Sequence, residues 1–182
     1  DDKTIEHSPY NNGGKGGEAF ALSGDGWTYE VSGANSYFMT LTLTATTYVY
    51  DFDGMTLGEG LWLEPEGCVI RNATFDGSVY LDEREDSCEF TNCVFNDIVP
   101  VRNSSTFENC EFHSRLFFQD QPGLMTTPAV VKNSFVDYTS PDSNFALYQK
   151  AQVVLDNVTV LAWMDPETNY NDDASLTIQN GG

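Results

Sequence analysis

The chain is poor in cations and in long apolar runs. It carries 8 Lys plus Arg against 28 Asp plus Glu in 182 residues, a formal net charge of −20. Such a surface repels nucleic acid and anionic membranes, so we expect neither as a partner. No run is long and apolar enough for a transmembrane helix and no signal peptide is present, so we expect no membrane insertion. The strongly negative charge is better suited to calcium binding, or to a secreted or cell-surface location, than to those partners.

The chain also lacks the periodicity of helices, and what it has instead is a repeat. Residues 90–95 and 107–112 both read Phe-x-Asn-Cys-x-Phe, 17 residues apart. Looser copies, apolar-x-Asn-small-x-apolar, extend the repeat in both directions, with glycine once in place of asparagine. We call the repeated position the marker, and it falls at Asn35, Gly54, Asn72, Asn92, Asn109, Asn133, Asn157 and Asn180.

The pattern around each marker predicts two strands joined by a corner. Before the marker, interior-type residues such as Cys88 and Phe90 alternate with polar ones such as Thr91, which is typical of a half-buried strand. After the marker the interior set moves to odd offsets, as at Cys93 and Phe95. The alternation can skip a residue only if the backbone bends, and left-handed geometry, which Gly and Asn tolerate best, gives that bend.

A third short strand completes each repeat and predicts a solenoid. It falls at residues 41–43, 61–63, 79–81, 99–101, 116–118 and 145–147. Coils stacked at about 4.8 Å would place each marker amide above the next, in a hydrogen-bonded ladder. This pattern resembles the right-handed parallel β-helix of the pectin-lyase-like superfamily, which carries such a ladder. The resemblance covers roughly residues 27–180 and is specific for the fold, not for a function.

The expected fold is therefore all-β. We predict a right-handed parallel β-helix of about seven coils, with three short strands per coil. Residues 20–182 would form this single domain. Residues 1–19, rich in Gly and Asn, would form a flexible arm. The first strands, from about residue 19 to 31, would shield the open end of the column.

Four cysteines fall at stacked positions of the repeat. The register places Cys68 over Cys88 and Cys93 over Cys110. The stacking distance suits bridged Cα atoms, but side chains stacked in parallel point the same way and reach a disulfide torsion poorly. We favour buried thiols and keep disulfides as the alternative. No CxxC pair or His cluster suggests zinc.

The outward side of the third strand predicts a ligand-binding stripe. Thr42, Trp62, Tyr80, Pro100, Phe117 and Ala146 would follow one another there in successive coils. Trp62, Tyr80 and Phe117 could bind the apolar faces of sugar rings or a partner protein. The alternative is that a long loop or the N-terminal arm covers them.

Acidic and histidine side chains offer weaker candidates. Asp76, Asn96, His113 and Asp137, with Glu111 beside them, would form one outward column. His113 and a neighbouring carboxylate could do acid–base work. Lyases and hydrolases of the resembling superfamily use clustered Asp with Arg or Lys, and no basic residue accompanies this column. We therefore assign no catalytic residue. For a metal, calcium could use Asp51 and Asp53, and we expect no other cofactor.

Two classes of function follow from these patterns. We favour a non-catalytic extracellular module for adhesion or structural self-assembly, whose partner is itself, another surface protein or a glycan. The unfinished coil around Leu176 and Ile178 suits an end-to-end filament, and equally a chain that is a segment of a longer solenoid. The alternative is a polysaccharide lyase or glycoside hydrolase acting on an acidic or plant-type glycan, which fold analogy alone supports.

Overall fold

The regular structure of the chain is entirely β. The computed structural model describes residues 20–24, 26–31, 39–44, 49–58, 61–81, 86–120, 123–137, 144–161, 163–165 and 174–181, and none of these is helical. No helix in this part of the chain is therefore long and apolar enough to cross a membrane. The predicted arm, residues 1–19, and the first marker, Asn35, lie outside the described residues.

The N-terminal strands form the beginning of two sheets. They are β1 Phe20–Gly24, β2 Trp27–Val31, β3 Met39–Leu43, β4 Val49–Leu57, β5 Leu61–Pro65 and β6 Val69–Phe75. β1 pairs with β2 and β2 with β3 in antiparallel fashion, whereas β3 pairs with β5 and β4 with β6 in parallel. The antiparallel hairpin β1–β2 occupies the edge of β3. It thus covers an edge that a parallel coil would leave unpaired.

The following coils each contribute three short strands. They are β7 Glu89–Thr91, β8 Val94–Phe95 and β9 Val99–Val101; β10 Thr106–Glu108, β11 Glu111–Phe112 and β12 Leu116–Gln119; β13 Ala129–Lys132, β14 Phe135–Val136 and β15 Asn144–Tyr148; and β16 Gln152–Asp156, β17 Thr159–Val160 and β18 Trp163–Asp165. A last strand, β19 Ser175–Gln179, pairs with β16. Equivalent strands of successive coils pair in parallel.

The fold is a parallel β-solenoid, as the repeat predicts, but it has fewer coils than expected. It comprises about five turns rather than about seven. The stretch expected to form the first coil instead includes the antiparallel strands β2 and β3. At the other end, β19 supplies only the first strand of a coil among the described residues.

Left-handed backbone occurs at the marker positions. The φ angle is 56° at Asn72, 54° at Asn92, 55° at Asn109, 48° at Asn133, 55° at Asn157 and 58° at Asn180. Gly54, with φ 80°, follows Asp53, with φ 52°, so this corner uses two left-handed residues. Only Gly and Asn adopt this region at low cost, which explains why the repeat conserves chemistry at this one position.

Phenylalanine fills the centre of the solenoid. Phe75, Phe95 and Phe112 stack on one another with ring centroids 5.1 and 4.8 Å apart. Phe90 and Phe107 form a parallel stack at 5.1 Å, and Phe95 meets Phe90 edge-on at 5.4 Å. All five rings are buried. Identical residues at the same place in successive coils therefore produce a continuous aromatic core.

The cysteines are buried free thiols beside this core. Cys68 Sγ lies 3.9 Å from Cys88 Sγ, and Cys93 and Cys110 occupy adjacent coils in the same register. The hydrogen bond to the neighbouring thiol, together with burial, raises the pKa of Cys68 and of Cys110 well above the ordinary value. Cys68 and Cys110 consequently stay protonated, and all four buried side chains pack as small apolar residues.

Candidate functional site

The outward side of the third sheet carries an aromatic row, but Trp62 stands off it. This sheet comprises β9, β12, β15 and β18 and continues to β5 through isolated bridges at Leu63–Val79 and Leu81–Val101. Its register aligns Tyr80 with Pro100, Phe117 and Ala146. In the coil before, the residue beside Tyr80 is Glu64, because Leu63, six residues after Leu57, pairs with Val79, which follows the partner of Leu57, Phe75, by only four. The expected place of Trp62 in the row is therefore wrong, and its side chain lies outside the described part.

Outward residues of this row are covered. Pro100 and Ala146 point outward, because their neighbours along the strand face the core, and yet both are buried. Arg115 lies across the row, with its guanidinium carbon 4.8 Å from the ring centre of Phe117. Its Nη2 donates a hydrogen bond of 2.7 Å to the hydroxyl oxygen of Tyr148. A side chain of the same sheet thus provides cover that the sequence assigned to a loop or to the arm.

Arg102 stands on the same side of the sheet, one coil before Gln119. Val101 pairs with Phe118 and faces the core, so the next residue faces outward. The Nε atoms of Arg102 and Arg115 are both enclosed, and neither has a hydrogen-bond partner. An enclosed donor without a partner costs about 1–3 kcal/mol. We call Tyr80, Arg102, Arg115, Phe117 and Tyr148 the binding face.

Neither arginine of the binding face has a carboxylate partner within the described ranges of the chain. Among the described residues, no Asp or Glu oxygen lies within 4.0 Å of either guanidinium. Of the other described cations, Arg71 Nε lies 2.9 Å from Asp51 Oδ2 and Lys132 Nζ lies 3.0 Å from Glu108 Oε1, whereas Lys150 has no such contact in the described part of the chain. Arg102 and Arg115 thus share one face without a described carboxylate partner, in a chain with 28 acidic and 8 basic residues.

The acid–base column has the expected register and contains one close contact. His113 Nε2 lies 3.3 Å from Glu111 Oε2, and Nδ1 lies 3.9 Å from Asp137 Oδ2. In the coils before, Asn96 Nδ2 donates a hydrogen bond of 2.7 Å to Asp76 Oδ1. His113 is therefore bracketed by two carboxylates on the outer side of the second strands. The arrangement can exchange a proton, but no arginine or lysine of the described residues pairs with it.

Asp51 and Asp53 stand at the first described corner, where Asp51 is already engaged. Asp51 accepts hydrogen bonds from Asn72 Nδ2 at 2.9 Å, from Arg71 Nε at 2.9 Å and from the Asp53 amide at 3.1 Å. The bond from Asn72 and that from the Asp53 amide hold the pKa of Asp51 below its ordinary value. In the described part of the chain, no group of three or more His, Cys, Asp or Glu could hold a metal.

The marker side chains form a ladder that mixes amides with carboxylates. Asn92 Nδ2 donates to Asn72 Oδ1 at 3.3 Å, and Asn157 Nδ2 donates to Asn133 Oδ1 at 2.9 Å. The amide of Asn180 instead reaches Asp156 Oδ1 at 2.6 Å. These contacts run along the outside of the corner, since most of the marker side chains are exposed. The ladder is thus a surface feature that links neighbouring coils.

Sequence reasoning missed Arg102, Arg115 and Tyr148. Tyr148 lies at an outward position of β15, and Arg102 and Arg115 directly adjoin the ends of β9 and β12, next to residues that the repeat marks as interior. The available signal was the scarcity of basic residues, since Lys and Arg together number only 8 in the whole chain. Two of them flank the third strands of neighbouring coils. That clustering pointed to this face before any contact was known.

Stacked parallel coils with left-handed asparagine corners define the chain as a parallel β-solenoid protein. No protein-family model, curated protein or solved structure matches it.

Proposed function

We propose that this protein is a non-catalytic extracellular module that adheres to its partner through the binding face. The observation that carries this proposal is the fixed position of Arg115, which stacks over Phe117 and is held by the Tyr148 hydroxyl. A rigid aromatic and guanidinium surface loses little entropy on binding, which favours recognition of a sugar ring or a protein side chain. The negative charge of the remaining surface suits a secreted or surface-displayed protein.

We also propose that the solenoid is right-handed and belongs to the pectin-lyase-like superfamily. Parallel strands joined through a crossover adopt the right-handed form in nearly all proteins. The asparagine corner supports the superfamily, since this chain uses it in successive coils. This assignment concerns ancestry and geometry, and it implies no enzyme activity.

A glycan array read beside a reducing-sugar assay tests the proposed function. We expect a bound glycan, no released reducing ends, and a loss of binding in Phe117→Ala with an unchanged melting temperature. Phe135→Ala is the matched control, because Phe135 is a half-buried phenylalanine on the second strands. Trp62→Ala reports whether the binding face extends to the neighbouring coil. Retained binding in Phe117→Ala would contradict the proposal.

The competing enzyme function rests on one contact, that between His113 and Glu111 at 3.3 Å. A polysaccharide hydrolase or lyase needs an acid and a base on the two sides of its substrate. Release of reducing or unsaturated sugars that His113→Ala abolishes would establish this function. The binding module predicts that His113→Ala leaves binding unchanged.

Self-assembly is a second candidate, because the last described strand shows apolar side chains. Ile178 stacks on Leu155 in the interior column but is 59% exposed. No strand of the described residues pairs with the other edge of β19. Such an edge can add a strand from another molecule.

A further inference from the structure

Arg102 and Arg115 differ from the other described cations because their Nε atoms are enclosed, whereas Lys150 is exposed and Arg71 and Lys132 are ion-paired. Arg71 and Lys132 each contact a carboxylate of the neighbouring coil. In a chain with a net charge of −20, carboxylates that could pair with an arginine are abundant. The binding face nevertheless has two arginines and, among the described residues, no acid within ion-pair distance of them.

The side chain of Arg115 is held in place by contacts that leave it without a carboxylate partner among the described residues. Arg115 is fixed by the ring of Phe117 on one side and by the hydroxyl of Tyr148 at its tip. The Nε atoms of both arginines are enclosed and lack hydrogen-bond partners, so no hydrogen bond compensates for their loss of contact with water. Unsatisfied buried donors of this kind call for an explanation, and a functional position is one of the recognised ones.

The register brings the two guanidinium groups to the same side of neighbouring coils. Arg102 stands one coil before Gln119, at the end of the third strands. Arg115 starts from the opposite end of the strands but extends along the row towards Tyr148, which pairs with Gln119 in the next coil. Both arginines therefore belong to the outward side of the third sheet beside Phe117 and Gln119.

A guanidinium presents a planar fork of donors that matches the two oxygens of a carboxylate or a sulfate. With Nε enclosed in both residues and Nη2 of Arg115 already bonded to Tyr148, such a contact would use Nη1 of Arg115 and the terminal nitrogens of Arg102. The flanking rings of Phe117 and Tyr148 offer apolar surface to the body that carries the charged group. We infer that the binding face takes an oxyanion, a carboxylate or a sulfate group, between Arg102 and Arg115. This inference rests on the proposed function and names the ligand chemistry of the same site.

Three matched polymers test the inference: carboxymethyl dextran, dextran sulfate and neutral dextran, immobilised and probed at physiological ionic strength. Arg102→Gln and Arg115→Gln are compared with Arg71→Gln and Lys132→Gln, which remove the same charge from paired positions. We expect binding to at least one anionic dextran, none to neutral dextran, and a loss of about tenfold or more only in the first two variants. Free acetate and free sulfate as competitors tell whether the bare anion suffices and which oxyanion is preferred.

The thermal melt of every variant separates binding from folding. Arg115→Lys keeps the charge but not the fork, so it should bind more weakly than the natural protein at an unchanged melting temperature. Equal losses in all four neutral variants, or no binding to either anionic dextran, would overturn the inference. Binding to a neutral glycan of the array that needs Phe117 but neither arginine would overturn it too, and would leave the proposed function standing. If the protein binds no glycan of the array and no dextran, both the inference and the proposed function are refuted.

Discussion

Each described marker residue has a left-handed φ, and five of the six described asparagine markers donate a side-chain hydrogen bond to the neighbouring coil. Asn92 shows both, with φ 54° and an amide that bonds to Asn72 Oδ1 at 3.3 Å. A Cβ in this region costs about 1–2 kcal/mol unless the residue is Gly or Asn. The exposed hydrogen bond contributes less, because water replaces it when it is lost. The corner geometry therefore dominates over the ladder.

This balance predicts the order of two substitutions. Asn92→Ala should lower the free energy of unfolding by about 1–2 kcal/mol, whereas Asn92→Gly should cost less because Gly adopts the left-handed region freely. Urea denaturation of the two variants measures the difference. Asn96→Ala is the control, since Asn96 lies in the same coil and has no left-handed φ. If alanine proves as good as glycine at position 92, backbone strain is not the reason for the repeat.

A second residue-scale prediction concerns pH and the last corner. Hydrogen bonds from Asn180 and then Gln179, with Lys132 nearby, lower the pKa of Asp156. A carboxylate with a lowered pKa in the folded state adds stability above its unfolded pKa, and that stability is lost as the pH falls through the folded pKa. Asp156→Asn should thus weaken the attachment of β19 at neutral pH but matter little in strong acid. Hydrogen exchange of residues 175–179 across this range measures it, and a difference that grows on acidification would contradict the explanation.

At the scale of the strand, the interior phenylalanines set the stability. Phe95 stacks between Phe75 and Phe112 and meets Phe90 and Phe107 edge-on. Phe95→Ala should lower the free energy of unfolding by about 3–5 kcal/mol, since the cavity is walled by rings of neighbouring coils that cannot collapse independently. Phe135→Ala, on an outward and half-buried position, should cost much less. Similar losses in both variants would show that the core column does not dominate.

The strands also show how far the sequence reaches. Alternation and the skipped residue at Asn92 predict both strands of a coil, because apolar and polar residues alternate in a strand that buries one face. The position of Trp62 could not be predicted, since Leu63 rather than Leu61 pairs with Val79, and a shift of two residues leaves the outward residues outward. The antiparallel pairing of β2 with β3 was missed because alternation indicates which face is buried but not the direction of the strand. The contact between Arg115 and Tyr148 depends on long side chains that span two coils, which pattern alone does not report.

At the scale of the whole molecule, a solenoid is stable through contacts between neighbouring coils. A coil at the edge of the stack lacks one of these contacts and can associate with another molecule. The interior column ends at Leu176 and Ile178 in the described part, and Ile178 is 59% exposed. The backbone of β19 has one edge that no described strand pairs with. Residues 1–19 are long enough to reach a neighbouring copy, and an arm added to this edge in each copy would extend into a filament.

We therefore predict association that depends on the arm and on the exposed column. Light scattering of the 182-residue chain should show oligomers that Ile178→Lys and removal of residues 1–19 both reduce to monomers. Added salt should strengthen association, because it screens the repulsion between copies with a charge of −20 each. Val154→Lys is the matched control, placing the same charge on an outward, half-buried position of β16. A monomer at high concentration and high salt, with the arm present, would rule out strand exchange and leave the binding face as the only candidate site of adhesion.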